Sequence, residues 1–239
     1  MLSLFFVPSL PVNGSVLLDG DEAHHALVVT RLAVGEKLLL SDGAGAWARG
    51  RIASASKRSA VVEIIERGVT AQSNPRLTIV QGIPKSDRIK ETIELLTEAG
   101  ADRIIPWSAA RSIAKFQSDS LAKWQGGALA AAKQSRRFWI PEVTEARTTP
   151  QLATVLTDAR ILVLHESATA TFSQSVDQSW SSASEIAVVI GPEGGLSEDE
   201  LAAFAERGAT IASMGTPVFR SAHAGIAALS ALQTVLGRW

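Results

Sequence analysis

Five consecutive apolar residues, Ile186-Ala187-Val188-Val189-Ile190, run without a polar break into Gly191-Pro192-Glu193-Gly194-Gly195, and this junction constrains the chain more than any other stretch. A continuous, largely β-branched run predicts a strand buried on both faces, and the glycine-proline turn ends it. A helix is predicted immediately afterwards. Ser197 stands as its N-cap, Glu200 three residues on is the capping-box partner, and Leu201 and Phe204 begin the apolar stripe. Strand, glycine loop and helix in this order put the loop at the carboxyl end of a strand in an open α/β sheet. Ligands sit there, close to the backbone and to the free N–H groups of a helix N-terminus. An ordinary tight turn has the same signature, and from this stretch alone both readings stand.

The chain of 239 residues, 46% apolar and 20% charged, is long enough for one large or two modest domains with cores of their own. No apolar run approaches the roughly 18 residues of a membrane span, and no basic segment leads into a long apolar one, so a soluble, cytoplasmic protein with no membrane partner is expected. The absence of cysteine excludes disulfides, thiolate metal sites and cysteine nucleophiles, covalent attack in carbon-5 methylation among them. Net charge is −1, but it is unevenly spread: residues 73–147 are net +4 and residues 148–239 net −5. A basic middle could supply phosphate contacts to a nucleic acid, or form a solvated helix face of mixed charge.

In chain order, strands are expected at Leu4–Val7, Ser15–Leu18, Lys37–Ser41, Ala46–Ser54 and Ser59–Glu66, with a hairpin turn at Asp42-Gly43-Ala44-Gly45. One short helix over 21–32, capped by Asp21 and closed by Arg31, interrupts them. Many short strands within about 70 residues suggest a small β-barrel. His24 and His25 are adjacent, so they do not face a common ligand on a helix, and nothing completes a metal set; no metal is expected. His24 and Arg31 are instead candidates for RNA contact.

The polar segment ending at Asn74-Pro75 marks the boundary between domains 1–72 and 73–239. Beyond it strands alternate with helices: strands at 77–81, 103–106, 160–165, 186–190 and 210–214, helices at 84–99, 121–137 and 222–236, and a Ser/Thr/Ala-rich loop at 168–184. This alternation predicts a parallel α/β sheet. Lys85, Arg88 and Lys90 crowd the first turn of a helix, where the dipole disfavours cations. An anionic ligand there and neutralisation by Asp87, Glu91 and Glu94 are equally open. Lys133, Arg136 and Arg137 run into Phe138-Trp139, which suits phosphate contacts with base stacking, or a helix C-terminus followed by core aromatics.

Several of these segments, taken together, resemble one family. Gln134-Ser135-x-Arg137 with Ile140-Pro141, then His165-Glu166, Ile190-Gly191-Pro192-Glu193-Gly194-Gly195-Leu196-Ser197, and Met214-Gly215-x-x-Val218-Phe219-Arg220 are similar to the RsmE family, as are His24-x-x-x-Val28-x-x-Arg31 and Glu98-Ala99-Gly100. These are ribosomal-RNA methyltransferases of the SPOUT class that methylate uracil N3 in 16S rRNA. The resemblance implies an N-terminal PUA-like barrel for RNA binding, a C-terminal SPOUT domain whose parallel sheet carries a deep trefoil knot, and a homodimer. The implied cofactor is S-adenosyl-L-methionine, held by Leu164, His165 and Glu166, by the loop Ile190, Gly191, Pro192, Gly194, Gly195 and Leu196, and by Met214, Gly215, Val218, Phe219 and Arg220. The implied partner is 16S rRNA within the small subunit, met by His24, Arg31, Lys85, Arg88, Arg136 and Arg137. Where the family commonly reads Leu-Arg-Thr-Glu-Thr-Ala, this chain has Phe219-Arg220-Ser221-Ala222-His223-Ala224, keeping the arginine and losing the glutamate.

Chemistry assigns roles within that frame. Uracil N3 must lose a proton to accept a methyl group, and the anion spreads onto the flanking carbonyl oxygens. Arg220 is expected to stabilise it with fixed N–H donors, unless a salt bridge to an acid such as Glu193 occupies it. Glu193, His223 or water could take the proton. A carboxylate at Glu193 repels a phosphate and suits a sulfonium bearing an amino group. A non-catalytic RNA binder and a nucleotide-using α/β enzyme share parts of the pattern.

Overall fold

The computed structural model describes residues 2–239, which separate into two compact units: the residues up to Gln72 with Ala132–Ile140, and Ser73–Ala131 with Pro141–Trp239. In the first unit β1 (Leu4–Phe6), β2 (Ser15–Leu18), β3 (Lys37–Ser41), β4 (Ala46–Ala55) and β5 (Ala60–Val69) form a sheet in the order β1-β3-β4-β5-β2. β1 and β3 run parallel and the other three pairs antiparallel. Asp42 closes the β3–β4 hairpin, its Oδ1 accepting from the N–H groups of Ala44 and Ala46 at 2.8 and 3.1 Å. Alternate residues Leu38 and Leu40, Ala48 and Ile52 point to one side and pack with Phe5, Leu18 and Val62 in a closed core.

The helix expected over 21–32 is shorter and irregular. α1 (Gly20–His24) starts one residue earlier, with Asp19 rather than Asp21 at the cap position, and His25–Val29 widens into a π-helical turn in which Thr30 N–H reaches His25 O at 2.8 Å. Ala23 and Ala26 are buried and Leu27 packs against the same core, while His24, Val28 and Val29 stay outside. Residues 132–140, read in sequence as part of a continuous 73–239 domain, group instead with the first unit. Lys133 pairs with Glu22 at 2.5 Å and Phe138 stacks on Trp47 at 5.5 Å between ring centres, contacts that sequence continuity conceals.

The second unit holds β6 (Arg76–Gly82), β7 (Arg103–Trp107), β8 (Glu142–Val143), β9 (Arg160–Leu164), β10 (Glu185–Ile190) and β11 (Thr210–Ala212), paired in parallel in the order β11-β9-β10-β6-β7-β8. Helices α2 (Ile89–Glu98), α3 (Ser120–Gln134), α4 (Thr149–Val155), α5 (Phe172–Ser175), α6 (Glu198–Glu206) and α7 (Ser221–Val235) accompany it. Both sheet faces are buried, as the unbroken apolar run of β10 requires. Ile186, Val188 and Ile190 join the core with Ile93, Leu96, Leu229 and Leu232; Ala187 and Val189 join the opposite one with Trp107, Leu152 and Phe204. The 168–184 stretch, expected as loop, folds into α5 and a 3-10 turn at Gln178–Ser182 that buries Trp180. Among the described residues no helix is long and apolar enough to cross a membrane.

Candidate active site

The carboxyl ends of three adjacent strands are level: Ile190 at the end of β10 is in register with Leu164 of β9 on one side and Gln81 of β6 on the other. From β6 the chain proceeds outward through β7 and β8, then returns to build β9, β10 and β11 on the opposite side. Such a reversal of strand order opens a crevice above the strand ends. A cleft of about 620 Å³ lies there, within the usual range for small-molecule sites. Leu164, His165 and Glu166 form one side, Ile190 to Leu196 a second, and Met214, Gly215 and residues 217–224 a third; Lys85, Asp87, Arg88 and Glu91 close the fourth.

Backbone proximity sets the shape of the glycine loop. A Cβ on Gly82 would stand 2.4 Å from Pro192 N, and one on Gly194 would stand 2.9 Å from Arg111 O, so neither position admits a side chain. Gly195 (φ +71) and Gly215 (φ +118) take left-handed backbone with space where a Cβ would be. The helix after the loop is fixed by the expected capping box: Glu200 N–H donates to Ser197 Oγ at 3.3 Å and Ser197 N–H to Glu200 Oε2 at 2.9 Å. Glu200 also accepts from Ala110 N–H at 2.7 Å, which anchors the loop carrying Arg111. The third wall is tied to the second through Ser221, whose hydroxyl donates to Gly191 O at 2.6 Å and accepts from Gln81 Nε2 at 3.0 Å.

The charges divide into paired and available groups. Arg88 bonds Glu91 at 2.9 Å and lies 3.6 Å from Asp87, and Lys90 lies 3.7 Å from Glu94, so neighbouring acids pair with two of the three cations of that turn. The Arg88 guanidinium, followed by His223, holds the Glu91 carboxyl below the ordinary glutamate range. Glu193 accepts from the Lys85 backbone N–H at 3.2 Å. Arg220, at the N-cap position of α7, is exposed, and among the described residues no acid pairs with its guanidinium.

All the residues expected to hold a cofactor, with Glu193 and Arg220, line this single cleft, as do Lys85 and Arg88. His24, Arg31, Arg136 and Arg137 belong to the first unit. Arg31 (φ +58) and Arg136 (φ +57) both adopt left-handed backbone, uncommon for a non-glycine residue, and Arg136 Nε donates to Leu2 O at 2.8 Å. Phe138 and Trp139 are half-buried and engaged within the first unit, Phe138 stacking on Trp47 and Trp139 Nε1 donating to Thr70 O at 2.8 Å. Sequence reasoning missed Glu91 as part of the site, and Gln81 as the support beneath Ser221. Gln81 carried a signal, as a polar side chain ending the apolar strand Leu77–Gln81, and it is fully buried.

The donor set fits S-adenosylmethionine. Open glycine backbone leaves room for a flat purine and a ribose, and the carboxylates Glu166 and Glu193 at the rim favour a ligand carrying positive charge over one carrying phosphates. Comparison with known proteins decides the class. Residues 71–233 match the family model for an RNA methyltransferase domain, and residues 18–65 match the RNA methyltransferase PUA domain. The chain belongs to the RNA methyltransferase family. It is 39% identical to the ribosomal RNA small subunit methyltransferase E of Mycobacterium tuberculosis, over 99% of this chain and 93% of that one. To the Bacillus subtilis protein of the same name it is 30% identical, over 90% and 88%. A crystal structure of ribosomal RNA small subunit methyltransferase E from Neisseria gonorrhoeae, bound to S-adenosyl methionine, superimposes with a TM-score of 0.88 at 27% identity, covering 98% of each chain. The α/β unit with its parallel sheet is therefore the methyltransferase part of this RNA methyltransferase, and the strand-rich N-terminal part is PUA-like.

Proposed function

We propose that this RNA methyltransferase methylates N3 of one uridine in the 16S rRNA of the small ribosomal subunit, using S-adenosyl-L-methionine. The observation that carries the reading is the convergence of three sequence-distant segments, Leu164–Glu166, Ile190–Leu196 and Met214–Arg220, on one cleft in a chain so similar to small subunit methyltransferase E. When bound, the cofactor supplies an electrophilic methyl group on a sulfonium.

The chain's own residues do the rest. The glycine loop and the Met214–Phe219 segment hold the cofactor against backbone groups, and Glu193 and Glu166 favour its positive charge. Arg220, free of an acid partner among the described residues, directs its fork of donors at the charge that develops on the uracil carbonyl oxygens. Lys85 and Arg88 at the rim meet the RNA backbone. In domain 1–72 with its neighbouring arginines, His24, Arg31, Arg136 and Arg137 hold the rRNA, and the left-handed backbone at Arg31 and Arg136 supports a functional placement of those two. In the same reading the five-stranded sheet closes as a barrel, residues 73–239 form a SPOUT domain whose C-terminal segment threads a trefoil knot, and two copies pair as a cytoplasmic homodimer.

Transfer of a tritiated methyl group from S-adenosylmethionine to small-subunit rRNA tests the activity. Incorporation with wild-type protein is expected, along with a melting temperature raised by S-adenosylmethionine but not by ATP or NAD; no incorporation would leave an RNA binder.

A further inference from the structure

The group that takes the N3 proton is identifiable from the hydrogen-bond geometry of the cleft. His223 Nε2 lies 3.3 Å from Glu91 Oε1, and the other Glu91 oxygen accepts from Arg88 Nη1 at 2.9 Å. We infer that His223, backed by Glu91, is the catalytic base of this enzyme, which rests on the N3-methylation reading above.

The tautomer follows from the neighbours. Arg88 and His223 keep Glu91 ionised, so its oxygens only accept, and His223 Nε2 must carry the hydrogen. Nδ1 is then the lone-pair nitrogen of the neutral ring, and among the described residues none donates to it. A carboxylate on the far nitrogen fixes the ring and stabilises the imidazolium that forms, as in Ser-His-Asp triads.

The other titratable groups of the cleft suit the task less well. His165 Nδ1 already accepts from Ser167 N–H at 3.3 Å, and no carboxylate bonds its ring among the described residues. Glu193 already accepts from the Lys85 backbone N–H at 3.2 Å, and Arg220 is the group assigned to the developing anion. Asp87 lies beside Arg88, 3.6 Å away. Position favours His223 as well: its N–H donates to Arg220 O at 2.8 Å, so base and anion-stabilising arginine share the first turn of α7. Ala222 occupies the place of the glutamate usual in the family motif, and Glu91 brings a carboxylate to this cleft from α2 instead.

The step balances. The N3–H bond breaks toward His223 Nδ1, the pair left on N3 forms the new nitrogen–methyl bond, and the pair of the carbon–sulfur bond stays on sulfur, which departs as a neutral thioether. The positive charge of the sulfonium reappears on the imidazolium.

The test measures kcat/KM for methyl transfer to small-subunit rRNA against pH, with the calorimetric Kd for S-adenosylmethionine, in wild type, His223→Gln and Glu91→Gln. Wild-type activity should rise through a limb set by a histidine. His223→Gln should lose that limb and about 10²- to 10⁴-fold of kcat/KM near pH 7, with the cofactor Kd within about threefold. Its deficit should shrink at alkaline pH, as the substrate ionises at N3 by itself. Glu91→Gln should retain the histidine limb with a reduced kcat/KM, because the base remains while its orienting carboxylate is lost. An active wild type with an unchanged profile and rate in His223→Gln would overturn the assignment of the base, as would a uniform loss at every pH; an inactive wild type would instead overturn the function itself.

Discussion

The hydroxyl of Ser221 donates to the carbonyl of Gly191 at 2.6 Å, joining the first residue of α7 to the first residue of the glycine loop. These residues lie 30 apart in sequence and belong to two adjoining walls of the cleft. Ser221→Ala leaves Gly191 O and Gln81 Nε2 short of a partner, so a loss of about 1 kcal/mol in urea denaturation is expected. The cofactor Kd should rise several-fold, and Ser221→Thr should restore most of it.

Glu200 works at two distances. It completes the capping box with Ser197 and accepts from Ala110 N–H, 90 residues away in sequence. Ser197→Ala should cost about 1 kcal/mol, the usual value of a cap. Glu200→Ala should cost about 2–3 kcal/mol, because a backbone donor loses its acceptor as well. Equal losses in the two variants, measured by chemical denaturation, would remove the longer contact from the account.

Gly82 sits where β6 passes under Pro192. The added methyl of Gly82→Ala would meet backbone atoms, Pro192 N at 2.4 Å and Gly191 C at 2.8 Å, which cannot rotate aside. A destabilisation of about 1–3 kcal/mol is expected. Cofactor affinity should weaken at least about tenfold, equivalent to 1.4 kcal/mol. Titration calorimetry on the folded variant distinguishes this from unfolding.

What the sequence made legible was local. Ile186–Ile190, the glycine turn and the Ser197/Glu200 box are written within fifteen residues, and each folds as its own chemistry dictates. The same logic could have found α4 and α5, since Thr148 with Gln151 and Thr171 with Gln174 carry capping boxes that the Ser/Thr-rich context obscured. Contacts between distant residues left no local trace. Glu91 and His223 are 132 positions apart, and nothing on either helix links one to the other. Residues 132–140 read as the end of a helix, yet Lys133 and Phe138 are held by Glu22 and Trp47. The burial of Ala23, Ala26 and Leu27 follows helical spacing, but the widening into a π turn at His25–Val29 has no signal in the sequence.

Arg31 is exposed, in left-handed backbone, at the end of that turn. Arg31→Ala should weaken rRNA binding and reduce the slope of log affinity against log salt by about 1, the signature of one lost phosphate contact. The cofactor Kd should not change. An unaltered slope would remove Arg31 from the RNA-binding surface.

Nucleoside mass spectrometry of 16S rRNA from cells with and without this protein reads methylation of a uridine at N3. 3-Methyluridine is expected at one position when the wild-type protein is present, with its absence when the protein is removed and no restoration by an Arg220→Ala variant. An identical modification pattern in both strains, or loss of a methyl group on a different atom or base, would contradict it.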